Sequence, residues 1–460
     1  MNTKPGSLRF ILSVHDLHKS QLKALDDLSH RFLKKWLGLP RGASWALVHD
    51  VHGMDVKSFD HLYKESRTLT LSNIRFFSDN RVRHALDTKE ERESQWCRKF
   101  SSATFAKGVL NEVVPPTVAV SDVSTIAQGL DVSQQSWSSL ELSGVLSPSP
   151  LSPPPLPTSP PPPPPGAAPQ RQNARKMIKG KVQAEVQRDV SDFWKEKIGR
   201  YAMQGDYLAL IMEEKGCVSW KSYMWDIPQG VLRFAINAGL NTLPTLDNLK
   251  RWGKRVNDRC PLCGNTQTLL HVLSNCSVSL DQGRLTWRHN SVLLTLIEYI
   301  QPQLHENFVL YSDLPGYTAA HGGVIPPHIL VTSLRPDLFI IDETSKKIIF
   351  FELTCPWDSN VASSHSYKEE KYAPLIADLS RDFSVFNYSV EVSARGQVTK
   401  DNRARIKSLI WKCCRQPKGL EKNLVKLMSK AAILTSFTMF SARKEPAWSS
   451  PSPLIVRHFN

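Results

Sequence analysis

Six consecutive prolines at 160–165 divide this chain more firmly than any other feature. A run of fixed φ angles without backbone N–H donors cannot enter a helix interior or the middle of a sheet. Thirteen of the 31 prolines fall between Pro148 and Pro169, in a stretch from 113 to 170 otherwise rich in Ser and Val. This composition predicts a disordered, semi-rigid spacer over 113–170, with a docking site for a proline-reading module as the alternative. Folding units must then lie on either side of it. At 460 residues and 41% hydrophobic content, the chain has material for two or three cores. The apolar run from Phe10 to Val14 is too short for a signal peptide, and no segment approaches the ~20 apolar residues of a membrane span. An intracellular chain without a membrane partner is expected.

Residues 1–112 read as mainly helical. Leu22, Leu25, Leu28, Phe32, Leu33 and Trp36 follow helical spacing, with Lys23, Asp26, Asp27, Lys34 and Lys35 on the opposite side and Gly38-Leu39-Pro40 as the stop. Further helices are expected over 59–75 and 89–110. The chain carries 58 Lys and Arg against 43 Asp and Glu, a formal charge of +15 that favours polyanionic partners. The excess is spread out, with 19 basic and 13 acidic residues in 1–112 and 16 and 9 in 171–256.

The region 171–256 is again basic and helical. At its end Lys250, Arg251, Lys254 and Arg255 surround Trp252, a combination suited to a nucleic-acid strand: cations hold phosphates and a ring can stack on a base. A metal motif follows within 257–290. Cys260, Cys263, His271 and Cys276 form Cys-x2-Cys-x7-His-x4-Cys, in which two cysteines bite one ion from a tight knuckle turned by Gly264 and a His and a Cys complete a tetrahedron. Thiolate and imidazole ligands favour Zn2+, and four protein ligands make the site structural. Cys97, Cys217, Cys355, Cys413 and Cys414 read as ordinary thiols.

The region 291–420 carries a different signal. Leu338–Ile341 and Ile348–Phe351 have the composition of buried strands around a polar turn at 343–346. With the turn centred between Thr344 and Ser345, Asp342 faces Lys347 and Asp337 faces Glu352. Carboxylates directly across a ladder lie about 5 Å apart and repel by roughly 3 kcal/mol at an effective dielectric near 20. A cation is expected between them, and Mg2+ with oxygen ligands is the economical choice. Around the hairpin the pattern predicts a helix at 290–299, a loop over 301–334, then a helix at 363–382, a strand at 385–393 and a helix at 400–414. A last helix covers about 420–442, within a C-terminal helix and tail at 421–460.

The zinc-type cluster, Arg288-His289-Asn290 after it, Arg335-Pro336-Asp337 and Glu352-Leu353-Thr354 together resemble the C-terminal part of non-long-terminal-repeat retrotransposon proteins that carry a restriction-like endonuclease. The resemblance covers roughly 171–420. Residues 1–112 also resemble the thumb that follows the polymerase palm in such proteins, through Trp36-Leu37-Gly38-Leu39-Pro40. The paired aspartates of a palm do not occur in a strand context here, since Asp26 and Asp27 lie in the first helix. A truncated element without reverse transcription is expected.

The resemblance implies an α+β multidomain chain ending in a PD-(D/E)xK restriction-like nuclease domain. In that type Asp337 and Glu352 hold Mg2+ while a lysine orients or activates water. Thr354 stands where the lysine usually sits, and the related enzymes take it from the following helix. Lys371, supported by Tyr372, is the preferred residue here, and Lys368 the alternative. Arg288 and His289 join the nucleic-acid-binding candidates, His289 either as a functional partner or as packing. The expected activity is nicking of DNA in the nucleus, with RNA as a further ligand. The rivals are an inert nucleic-acid-binding remnant and a resolvase acting on branched DNA.

Overall fold

The computed structural model describes residues 17–40, 43–50, 53–77, 167–200 and 220–451, together with Leu12, His15, Tyr207, Leu208 and Ile211. The helix expected over 89–110, the spacer up to residue 166, Cys97 and Cys217 lie outside these residues. Among the described residues no helix is long and apolar enough to cross a membrane.

The chain divides into two compact units, 1–26 with 57–192, and 27–56 with 193–460. Helix α1 (Lys19–Leu37) stops where the sequence places its signal: Gly38 takes a φ of +66°, and Leu39 N–H donates to Lys34 O at 3.0 Å, closing the last turn. In the first unit Leu22 of α1 meets Leu12 and Tyr63, the last from helix α3 (Phe59–Phe77). Asp26 accepts the Phe59 N–H at 2.6 Å, capping α3. Helix α4 (Ala167–Ile198) places Pro169 in its first turn, where a missing N–H costs no helical bond. Lys64 pairs with Asp189 at 3.1 Å, and Gln183 with Glu65 at 2.6 Å. Within the second unit the short helix α2 is Ala46–His49.

The second unit also holds helices α5 (Gln229–Gly239), α6 (Leu246–Arg251), α7 (Ser277–Asp281) and α8 (Arg284–Ile300). A four-stranded sheet follows: β1 (Val309–Ser312), β2 (Leu338–Asp342), β3 (Lys347–Thr354) and β4 (Ser384–Glu391), side by side in that order. β1, β2 and β3 run antiparallel, while β4 joins β3 in parallel after the crossover helix α9 (Val361–Leu379). The β2–β3 register pairs Leu338 with Phe351 and Asp342 with Lys347, the alignment expected from the turn. Asp342 fixes that turn by accepting from Ser345 N–H at 3.1 Å and Ser345 Oγ at 2.5 Å, and Lys346 takes a φ of +52°.

Strand β1 lies inside the segment expected to be a loop. It is four residues long, partly exposed and flanked by Pro- and Gly-rich chain, so only its pairing with β2 marks it as a strand. Helices α10 (Lys400–Cys413) and α11 (Leu420–Ser441) complete the unit. Helix α11 joins two cores: Leu424, Val425, Met428 and Ala432 pack with β-sheet residues Leu338, Ile340 and Phe351, while Ile433, Leu434 and Phe440 pack with α5. A boundary at 420 would cut through one continuous core. Alternation along β3 sends Ile348 and Phe350 to a second face, where Tyr372, Leu375 and Leu379 of α9 cover them.

Candidate functional site

The metal motif is shaped by local hydrogen bonds. Arg259 and Thr266 form an antiparallel bridge, Cys260 N–H donates to Asn265 O at 2.7 Å and Gly264 N–H to Cys260 O at 2.9 Å, with Gly264 at a φ of +78°. Thr268 Oγ1 accepts His271 N–H at 3.0 Å and starts the helical turn His271–Asn275, and Cys276 leads into α7. The ligand atoms of Cys260, Cys263, His271 and Cys276 all lie within 4.8 Å of one another, with Cys263 Sγ 3.2 Å from His271 Nε2. A tetrahedron with Zn–S bonds of about 2.3 Å has edges near 3.8 Å, so the cluster fits Zn2+ in both size and donor type. Burial holds His271 below its ordinary pKa, in the neutral ligand form, and pushes the Cys263 thiol up.

The second cluster lies where β2 begins and β3 nears its end. Asp337 N–H donates to Glu352 Oε1 at 3.1 Å, and Leu353 N–H donates to Asp337 Oδ2 at 2.7 Å. Glu352 is 1% exposed and Asp337 8%. Two side-chain cations approach the pair. Lys368 of α9 puts Nζ 2.5 Å from Glu352 Oε2 and 3.5 Å from Asp337 Oδ2, and His289 of α8 puts Nε2 3.3 Å from Asp337 Oδ2.

Burial works to raise the Asp337 carboxyl, yet His289 and Lys368 overcome it and hold it at about 2. Burial and the Asp337 charge push Glu352 up to about 8. His289 and Lys368 lie above their ordinary values because the attraction of the carboxylates outweighs their burial. The repulsion that the register implies is thus met by a proton kept on Glu352 together with Lys368 and His289, and the closeness of the two acids does not by itself demand a divalent ion.

A family model described as zinc-binding in reverse transcriptase matches residues 201–282, which include all four cluster residues and the basic segment around Trp252. This chain carries a reverse-transcriptase-related zinc-binding region. That fits a retrotransposon-related protein. No curated protein matches the chain.

The structure sorts the remaining site residues. Lys368, not Lys371, reaches the carboxylates. It lies four, seven and eleven residues before Tyr372, Leu375 and Leu379, at the centre of the buried stripe of α9, whereas Lys371 sits off that stripe and exposed. Lys371 Nζ instead approaches the Tyr372 hydroxyl at 3.3 Å. Tyr372 is buried against Phe350 and donates to Arg335 O at 3.0 Å, so it anchors the chain leading to Asp337.

Arg288 corrects an expectation: at 2% exposure it is a buried residue, and its terminal guanidinium nitrogens serve the fold rather than a phosphate. Its guanidinium donates to Leu273 O and Cys355 O, both at 2.8 Å, and to Ser436 Oγ at 3.3 Å. The basic segment is exposed as expected, although Lys250 pairs with Asp258 at 3.0 Å and Arg251 with Asp247. Lys254 lies over the Trp252 ring, 5.9 Å from its centroid. α6 is held on the metal knuckle through Gln267, whose Oε1 accepts Leu246 N–H at 3.2 Å.

Two features had no forecast. Buried Glu391 at the end of β4 lies 3.7 Å from Arg405 NH1 and accepts at 3.1 Å from Nδ1 of His365, which sits one helical turn before Lys368 on α9. A cleft of about 500 Å³ opens beside Asp337, lined by the metal turn, the first half of α8 and the chain after β3. Only the spacing of His365 and Lys368 on one face of α9 hinted at the former; the latter joins segments too far apart in sequence for any pattern to reveal.

Proposed function

We propose that this chain is a retrotransposon-derived, Mg2+-dependent endonuclease that nicks DNA, with the zinc-bearing region and the basic segment around Trp252 helping to hold nucleic acid. The observation that carries this reading is the convergence of Asp337, Glu352 and Lys368 from two strands and a crossover helix. The order helix α8, three antiparallel strands, helix α9 and a parallel β4 also suits a PD-(D/E)xK nuclease.

Asp337 and Glu352 are the residues that would hold Mg2+, which supplies charge for polarising a phosphodiester and lowering the pKa of attacking water. The chain's own groups divide the remaining tasks. Lys368, freed from part of its pairing, stabilises negative charge on the phosphate or orients the water. His289 and Leu353 N–H fix the orientation of Asp337. Tyr372 fixes the backbone at Arg335 and so the entry of β2. One carboxylate pair is suited to cutting one strand at a time, and a chromosomal substrate would place the protein in the nucleus.

An alternative reading keeps only the nucleic-acid binding, because a proton on Glu352 and the approach of Lys368 and His289 to Asp337 already satisfy the acid pair. Supercoiled plasmid separates the two. In Mg2+ the wild type should convert it to the nicked circle, and Asp337→Ala or Glu352→Ala should abolish nicking with DNA binding retained. Nicking by both variants at the wild-type rate would reject the assignment.

A further inference from the structure

The cleft of about 500 Å³ beside Asp337 has a lining unlike that of a phosphate site. Besides the carboxylates of Asp337 and of Asp313, the latter paired with Arg335, its polar lining is neutral: the carboxamides of Asn275, Asn290 and Asn360 and the hydroxyls of Thr286 and Ser364, with the indole of Trp357 as an aromatic wall. Arg288 belongs to the lining, but its NH1 and NH2 groups are taken by Leu273 O, Ser436 Oγ and Cys355 O. His289 faces Asp337. An anion entering the cleft would meet the carboxylates of Asp313 and Asp337 and, of the Arg288 guanidinium, only the buried Nε without a partner, whereas a flat heteroaromatic with donors and acceptors around its edge would find amides, hydroxyls and a ring.

Size and rigidity narrow the class of ligand. The volume lies toward the low end of small-ligand sites, enough for one nucleotide and too small for a base pair still stacked in a duplex. The indole is fixed on one side by Arg395, whose Cζ is 4.2 Å from the Trp357 ring centroid and whose guanidinium also holds Asp358. Asn290 is partly fixed too, with Oδ1 3.0 Å from His289 Nδ1. Asp337 is part of the lining, so an occupant would adjoin the phosphate held at the carboxylates.

We infer that this cleft receives a single nucleobase of the strand being cut, taken out of the stack next to the scissile phosphate. The inference rests on the endonuclease reading and adds a nucleotide subsite to it. The neutral amides read the base edge and Trp357 meets its face, the means by which enzymes hold an extruded base. Extrusion is easiest where pairing is already broken, so a mismatched or bulged nucleotide at that position accelerates nicking.

The test uses the full chain and a duplex whose nick position has been mapped in Mg2+. 2-Aminopurine is placed in turn at the nucleotides flanking the nick, and its fluorescence is followed on binding without divalent cation. Exposed Thr286 on α8 allows a blocking variant, Thr286→Trp, and exposed Asn275→Leu is a second; zinc content and circular dichroism check that both fold. A fluorescence change at one flanking position and an acceleration of nicking by a mismatch there, both lost in the two variants, with nicking slowed about tenfold in them, is the expected result. Nicking at the wild-type rate by both variants, with no fluorescence change at any flanking position, overturns the subsite and leaves the nuclease standing. Failure of the wild type to nick any duplex overturns the nuclease reading and the subsite together.

Discussion

The metal cluster and the carboxylate cluster are built in opposite ways. Cys260, Cys263, His271 and Cys276 come from 17 consecutive residues and are brought together by a knuckle and a turn whose hydrogen bonds are almost all local. Asp337, Glu352, Lys368 and His289 come from two strands and two helices, and meet only because β2, β3, α8 and α9 pack correctly. Local ligands depend on an ion to stay ordered. The distributed acids depend on the surrounding core, and their charge is limited by a proton on Glu352 and balanced by protein cations. Stability should therefore respond to metal at the first site and to pH at the second.

Removing zinc should have the largest effect. Binding free energies of about 10 to 16 kcal/mol are typical of such sites, and a chelator or Cys276→Ser should unfold the knuckle and the turn after it. Hydrogen exchange should show protection lost over 258–282 while β2 and β3 stay protected. Equal loss in the sheet would break the contrast.

The second effect belongs to Glu352. Its folded pKa of about 8 lies above the ordinary 4.5, so the folded state keeps a proton that the unfolded chain has released. Its contribution is fully present below pH 4.5 and is lost as pH rises through 8. Without divalent cation, the unfolding free energies of wild type and Glu352→Gln should diverge between pH 5 and 8 by an amount on the order of 4 kcal/mol, the wild type losing stability as pH rises. Asp337, held low, contributes in the opposite window: its stabilisation is present above 3.8 and lost as pH falls toward 2. Parallel pH profiles for the two proteins would show that Glu352 is not the group responsible.

A smaller contrast separates Arg288 from the basic segment. Arg288→Leu removes a buried guanidinium from two backbone carbonyls and a hydroxyl and should cost about 2 to 4 kcal/mol in urea unfolding. Lys254→Ala with Arg255→Ala should change stability by less than about 0.5 kcal/mol. The same pair should weaken nucleic-acid binding and reduce the salt slope by about 2. An unchanged salt slope would remove that segment from the interface.

What was legible in the sequence follows the same division. The metal ligands could be read because their spacing is their geometry. The β2–β3 register could be read because a polar four-residue turn sits between two apolar strands, fixing Asp342 opposite Lys347 and so Asp337 near Glu352. Strand β1 was hidden because four partly exposed residues carry no alternation strong enough to stand out from a Pro- and Gly-rich stretch. The choice of lysine was legible in principle: the stripe Tyr372, Leu375, Leu379 points back to Lys368, a phase that charge alone does not reveal. Arg288 looked like a phosphate ligand because its carbonyl partners, Leu273 and Cys355, lie 15 and 67 positions away. His289 gained its place beside Asp337 through the same long-range packing.

The most direct test of the carboxylate site compares Lys368→Met with Lys371→Met in Mg2+-dependent nicking of supercoiled plasmid, at equal zinc content. Lys368→Met should lose at least about 100-fold in rate, as expected for removing a group that stabilises transition-state charge, while Lys371→Met should stay within about twofold. The reverse ranking, or equal rates for both variants and wild type, would contradict the site as built here.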